Sequence, residues 1–480
     1  MDGDEESCLP ANTVEHASPE HEERNKDLQD MISELPHEIL VSILSLMTFK
    51  EAVRTSVLSR RWKKLWSYTT GSLDFEDSKA EQDISHNTKS LGAGRFKFIG
   101  WVNRMLNSHQ GSRIREFRVR FDLNNRSRRY VDEWVAVALA KRVQNLKLDF
   151  LPFLRKFDSP RYTFPSKFIL PSAKCRYDLS CLRSLDLKFV NLTDENLDCI
   201  LTSCPFLEEL VIVCSELLSH IKVKGSSLSL KHLFIHCSDL TTFEVSAPNL
   251  VSLAYHNASK GGPQVLIENA PLLTSVTLGA LYDPVSIYLH PLCSSLPQLE
   301  ALHLHMNLFK VVFVVPVQIL LQSSLRSCNY NVLIFQDGLE IPQFPMLFNL
   351  RYLTWLVQTS DTASLLGLTS LIEAAPFLHH FELKLEWTEP WRRRNAKRVN
   401  ATPNQYLKEV KILGFRGYAI DSEIISYLLE RATMLEEIVV DPHPHACLTE
   451  GTFMEEKQAA RKKAEQLKPK LPHAAKLIIL

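Results

Sequence analysis

Glycine is scarce in this chain, at 15 of 480 residues. Loops that cradle phosphate need clustered glycines so that the backbone can close on an anion, and none is present. There is no G-x-S-x-G elbow for a nucleophilic serine and no pair of carboxylates in a recognisable catalytic setting. Net charge is absent too: 55 basic residues stand against 55 acidic ones, which removes the global footprint of a nucleic-acid binder. The 10 cysteines are scattered with no C-x-x-C pair, and no signal-peptide pattern opens the sequence. Those absences predict reduced thiols and residence in the nucleus or cytoplasm. Long apolar runs are missing as well. The most apolar stretch, Val311 to Leu321, is interrupted by Pro316 and is too short to span a membrane.

What is present changes character along the chain. In residues 1–30 ten acids, from Asp2 to Asp30, face only Arg24 and Lys26, which predicts a disordered acidic arm. Residues 31–72 read as short helices. Pro36 sits where a helix can start, and Ile39, Leu40, Ile43 and Leu44 recur at helical spacing. Thr48 and Glu51 fit a capping box ahead of a second helix carrying Ala52, Val53, Ser56 and Val57. Ser59 can cap a third that holds Trp62, Leu65 and Trp66. Helices this short are marginal alone, so their apolar faces must pack against something.

The order Leu35-Pro36-x-Glu38-Ile39-Leu40, the run Ala52 to Ser59, and Trp62-x-x-Leu65-Trp66 together resemble the plant F-box. In that family the F-box binds the adaptor subunit of SCF-type ubiquitin ligases, and through it a cullin scaffold. The resemblance implies adaptor contacts by Leu35, Pro36, Ile39, Leu40, Ile43 and Leu44. It implies that Val53, Leu58, Trp62, Leu65 and Trp66 share that work, partly as the core of the small domain. His37 stands where many relatives carry an acid, which leaves the apolar contacts intact.

After a linker and first helical segment (73–110, with a loose polar stretch at 76–92), a repeat fills residues 111–400. The string x-Pro-x-Leu recurs at Pro205, Pro248, Pro271, Pro297 and Pro376, at intervals of 43, 23, 26 and 79 residues. Those intervals read as two, one, one and three units of roughly 22–26 residues. Each precedes L-x-x-L-x-L, as in Leu207/Leu210/Ile212, Leu250/Leu253/Tyr255 and Leu378/Phe381/Leu383. Further copies run from Ile114/Phe117/Val119 to Leu435/Ile438/Val440, and a weak one at Leu325/Cys328/Tyr330 fills the gap before Leu350. Between strands, Thr193 can cap a helix whose Leu197, Ile200 and Leu201 face inward.

The pattern resembles leucine-rich repeats, which implies a curved solenoid of stacked parallel strands whose ends need caps. The expected fold is therefore α/β, a small helical F-box followed by that solenoid. Residues 401–480, with Tyr406 to Gly417, Glu423 to Ala432 and Leu435 to Val440, resemble the FBD domain and are expected to add final repeats and a cap. Phe453 to Lys468 reads as a charged helix and Ala475 to Leu480 as a final strand.

In L-x-x-L-x-L the fourth and sixth residues point to the core, so the third, fifth and seventh face the open side of the sheet. On that grid His232, His236, His256, His303, His305 and His380 all fall on exposed positions, with His236 and His256 neighbours. A histidine-bearing recognition face, able to meet acidic or hydrogen-bonding groups, is the expectation. No cysteine or carboxylate joins it at ligand spacing, so no metal and no cofactor is expected. His443-x-His445-x-Cys447 reads as a surface loop, and the basic cluster Trp391 to Arg398 as a solvated loop or an import signal.

The reading that results is a non-catalytic substrate-recognition subunit of an SCF-type ligase, with the adaptor, the cullin and a protein target as partners. Neither nucleic acid nor membrane is expected as a partner. The alternative is a repeat protein that binds without promoting degradation, or a co-receptor completed by a small ligand.

Overall fold

The turn written x-Pro-x-Leu closes in the same way at every copy. The leucine N–H donates to the carbonyl three residues back, from Leu207 to Cys204, Leu250 to Ala247, Leu273 to Ala270, Leu299 to Leu296 and Leu378 to Ala375, at 3.1–3.2 Å. Proline at the second position fixes φ where such a turn needs it. Leu350 closes the same turn on Leu347 without a proline, Phe348 standing in its place. Each turn delivers its leucine to the core and starts a strand.

The structure, a computed structural model, describes residues 31–80, 91–152, 160–169, 177–225, 229–257, 261–263, 265–280, 296–307, 344–359, 364–387, 395–397, 402–442 and 450–480. The chain divides into two compact units, Met1–Gly71 and Ser72–Leu480.

In the first unit α1 (Met31–Glu34), α2 (His37–Leu46) and α3 (Phe49–Arg54) lead into 3-10 turns at Thr55–Val57 and Trp62–Tyr68. Thr48 and Glu51 form the expected capping box: each backbone N–H donates to the other's side-chain oxygen, at 3.4 and 3.1 Å. The Ser59 hydroxyl accepts from the Trp62 N–H at 3.4 Å. The third helix is of the tight 3-10 kind, and the Ser67 and Thr69 hydroxyls each donate to the carbonyl three residues back. Leu40, Leu44, Phe49, Ala52, Trp62, Leu65 and Trp66 are buried, with the Phe49 and Trp66 rings edge to face at 5.9 Å.

The second unit holds a 14-stranded sheet in which every pairing is parallel. Numbered in chain order, it begins with β1 (Ser72–Glu76), β2 (Glu116–Arg120), β3 (Asn145–Asp149), β5 (Ser184–Lys188) and β7 (Glu209–Val213). It continues through β9 (His232–Cys237), β11 (Ser252–Asn257), β13 (Ser275–Ala280), β14 (Ala301–Asn307) and β15 (Tyr352–Thr359). It ends with β16 (His380–Trp387), β17 (Glu409–Leu413), β18 (Glu437–Asp441) and β19 (Lys476–Ile479). Two short parallel sheets accompany it, β4 (Tyr162–Thr163) with β6 (Val190–Asn191), and β8 (His220–Lys224), β10 (Thr242–Ser246) and β12 (Val265–Ile267).

The pairs Leu210/Ile212, Leu253/Tyr255, Leu302/Leu304 and Phe381/Leu383 are buried, as the grid requires. Helices occupy the return path at both ends: α4 (Leu91–Ser108), α5 (Arg128–Ala140) and α6 (Asp194–Ser203), then α7 (Thr369–Glu373), α8 (Ala419–Arg431) and α9 (Glu450–Glu465). Thr193 caps α6 by accepting from the Asn196 N–H at 3.2 Å. At its middle the return path is the β8–β10–β12 ladder instead.

Two expectations change. The sheet starts at Ser72, and β1 runs into the stretch read as a linker from residue 73, because Leu73 and Phe75 alternate with Asp74 and Glu76 although no leading leucine announces them. Residues 325–330, read as a weak repeat, lie outside the described residues, and β14 pairs directly with β15. The 79 residues between Pro297 and Pro376 thus contain two steps of the ladder, with extra chain inserted in one. In residues 401–480, expected to add final repeats and a cap, β17, β18 and β19 extend the same sheet.

Candidate functional site

Two surfaces carry the residues singled out above. On α2 the 3.6-residue period separates two apolar stripes. Leu40 and Leu44 point into the small core, while Ile39, Ile43 and Leu46 point out, with Leu46 81% exposed. Pro36 and Leu58 are exposed, and Leu35 and Val53 are half-buried. The Leu35 carbonyl accepts from the Arg61 guanidinium, which holds the entry to α2 against the third helix. Leu40 and Leu44, expected to touch the adaptor, are buried, and so are Trp62, Leu65 and Trp66, expected to share that work partly as the core of the small domain. The sequence reading merged the two stripes because both are apolar. It also missed Ile32, Leu46 and Val57, which are exposed apolar residues, Val57 at 86%. The signal that would have found Leu46 was its position seven residues after Ile39.

On the sheet, His232, His236, His256, His303, His305 and His380 all lie opposite the leucine core, as the alternation predicts. Their exposure is not as predicted. His232 is exposed and His303, His305 and His380 are half-buried, but His236 and His256 are buried, at 2% and 5%. The reason is ring-on-ring packing over a missing side chain. His236 and His256 pair in register with centroids 5.6 Å apart. The next residue in that row is Gly279, and the His256 ring occupies its place: a Cβ there would lie 2.8 Å from His256 Cδ2. His305, one strand further, then sits 4.7 Å from the His256 ring, and Phe234 packs on the same ring at 5.4 Å.

Burial sets the electrostatics of this row. It pushes the His236 imidazole down to about 4. It does the same for His305, helped by the His303, Lys384 and His236 rings and charge nearby. His256 falls well below its ordinary value through burial and the adjacent His305 and His236. At neutral pH these rings are neutral, and among the described residues neither nitrogen of His236 nor Nε2 of His256 has a hydrogen-bond partner. His380 goes the other way. Glu382 and Glu409 both raise it, the latter by a 3.0 Å contact to Nδ1.

Among the described residues no three His, Cys, Asp or Glu side chains are placed to hold a metal ion. No helix there is long and apolar enough to cross a membrane. His443, His445 and Cys447, most of the basic cluster 391–398, and the acidic arm 1–30 lie outside the described residues. A buried acid, Asp421, is raised to about 7 by burial, but its carboxylate accepts the Arg416 and Gly417 N–H groups at 2.8 Å. It fixes the turn into α8.

Comparison with known proteins covers both units of the chain. The F-box domain family model matches residues 32–69. The At1g61320/AtMIF1 LRR domain model matches residues 105–476, well over half the chain. An Arabidopsis thaliana relative named as an F-box/LRR-repeat protein is 33% identical over 202 residues, which are 39% of each chain. An FBD-associated F-box protein of the same plant is 29% identical over 259 residues, 51% of this chain and 60% of the relative. A third, named as an F-box protein, aligns over 440 residues at 26% identity, covering 87% of this chain and 89% of its own. The first of these alignments thus spans about two-fifths of the relative's length.

Proposed function

The chain belongs to the plant F-box proteins that carry a leucine-rich-repeat domain, and we propose that it is a substrate-recognition subunit of an SCF-type ubiquitin ligase. The observation that carries the proposal is the outward stripe of α2. A unit with its own buried core leaves Ile39, Ile43 and Leu46 in water, and Val57 and Leu58 are exposed as well. Exposed apolar residues grouped on a small folded unit are the mark of a docking face, and residues of this kind act as anchors when a partner desolvates them.

In this reading the adaptor covers that stripe and brings the cullin, while the sheet face opposite the core holds the target protein. The chain makes and breaks no bonds. It raises the rate of ubiquitin transfer by holding a target lysine near the charged conjugating enzyme, an effect of proximity. Its place of action is the nucleus or cytoplasm.

The test is co-purification of the adaptor with the intact chain and with a form lacking residues 31–70, followed by ubiquitin transfer in a reconstituted complex. Loss of both on deletion supports the proposal. Adaptor binding that survives the deletion removes it. Binding without transfer would favour a non-degradative role.

A further inference from the structure

The sheet face opposite the core is divided by charge. On β1 to β5 its residues form a lattice of ion pairs: Arg118 with Asp74 at 3.3 Å, Arg120 with Glu76 at 3.1 Å, Lys147 with Glu116 at 3.2 Å and Lys188 with Asp186 at 3.2 Å. Charge returns on β16 and β17, where Glu409 meets His380 and Lys384 lies 3.8 Å from Glu386. Between them, from β7 to β15, Glu209 is the one Asp, Glu, Lys or Arg on the face, among the described residues.

Within that neutral zone the side chains also change size. On β11, β13 and β14 the face carries Ser252, Ala254, Ser275, Thr277, Gly279 and Ala301. Larger rings stand on both sides, Phe234 and His232 on β9, and His303 on β14 with Tyr352 on β15. At the level of Ala254 and Thr277 two strands of small side chains lie between the Phe234 and His303 rings, and at Ser252, Ser275 and Ala301 the floor is three strands wide; at ~4.8 Å per strand this makes a trough roughly 10–15 Å across. The row of His236, His256 and His305 closes it on the side of the strand ends.

We infer that this trough takes an uncharged peptide segment of the captured protein, with an aromatic or aliphatic side chain seated over Ala254 and Thr277. The inference rests on the target-capture reading above and narrows it to one chemistry. A charged group entering the trough would lose its water and meet no opposite charge, because the charges of the flanks already pair with each other. A ring or branched aliphatic group finds depth over the small residues and edge or face contacts at the walls.

The experiment uses the full chain bound to the adaptor and an array of synthetic peptides of equal length, alike except for a central Phe, Leu, Asn, Asp or Lys. Phe- and Leu-centred peptides are expected to bind at least about tenfold more tightly than their Asp- and Lys-centred counterparts. Thr277→Lys should remove that binding, Thr277→Ser should keep it, and the flank variant Lys147→Gln should leave it unchanged. The comparison among peptides on the unaltered chain needs no variant to fold. Equal or stronger binding of charged-centre peptides, or no binding of any peptide, overturns the inference, as does full binding by Thr277→Lys. Adaptor retention in the same preparation separates the outcomes: loss of peptide binding with the adaptor kept refutes the trough alone, whereas loss of the adaptor refutes the ligase reading.

Discussion

Gly279 shows how one residue decides what a row of others can be. Its missing Cβ leaves the space that the His256 ring fills, and with that ring in place His305 can pack against it. Gly279→Val should therefore displace His256 and lower the melting temperature, while adaptor binding through the first unit stays unchanged. Gly414 is a stricter case. Its φ is +77° and a Cβ would lie 2.2 Å from the Leu385 carbonyl oxygen, so Gly414→Ala meets both strain and a clash with backbone. Its cost should exceed the ~1–2 kcal/mol that the left-handed conformation alone imposes on an L-residue, read by denaturant unfolding.

The histidine row also predicts a pH effect. Its folded-state values lie below the unfolded value of 6.5, down to about 4 for His236 and His305. Between those limits the unfolded chain binds more protons, so stability conferred by the neutral rings is complete above about 6.5 and is lost as pH falls toward 4. Asp421, raised to about 7, works in the opposite sense, its folded form holding a proton that the unfolded form releases. The net curve mixes the two, so the measurement is a difference. The double variant His236→Gln/His305→Gln should lose less melting temperature than the parent chain between pH 7.5 and 5. An equal loss would show that these rings do not titrate as placed. The grid from the sequence put all six histidines on the correct side of the sheet. It could not give their burial, since that depends on a glycine two strands away from His236 and on rings leaning across it.

At the scale of elements, α2 and its capping neighbour were readable because their signals are local. The Thr48–Glu51 box lies within four residues, and Thr48→Ala should cost about 1 kcal/mol of the first unit's stability by thermal unfolding. The two stripes of α2 were harder to separate, because leucine and isoleucine look alike until packing assigns them a side. They now predict opposite behaviour. Leu44→Ala should destabilise the unit by ~2–5 kcal/mol, since its side chain is 1% exposed. Leu46→Ala should change stability by less than ~0.5 kcal/mol and weaken adaptor binding. Strand β1 was missed for a related reason. It has the apolar alternation but lacks the leucine turn that marked the others.

For the whole molecule, the repeat was legible because its turn chemistry and strand period recur together, and the parallel ladder follows from stacking units that cannot bury their apolar edges alone. The number of units between Pro297 and Pro376 was not, because spacing alone does not distinguish a repeat from an insertion. The charge division of the sheet face appears only when strands far apart in sequence are set in register. The central claim, however, concerns the outward stripe of α2. It is tested most directly by the affinity of the purified adaptor for the intact chain and for Ile39→Asp/Leu46→Asp, with unfolding followed in parallel. The account predicts affinity at least about tenfold weaker with the unfolding transition in place. Unchanged affinity in a folded variant would contradict it.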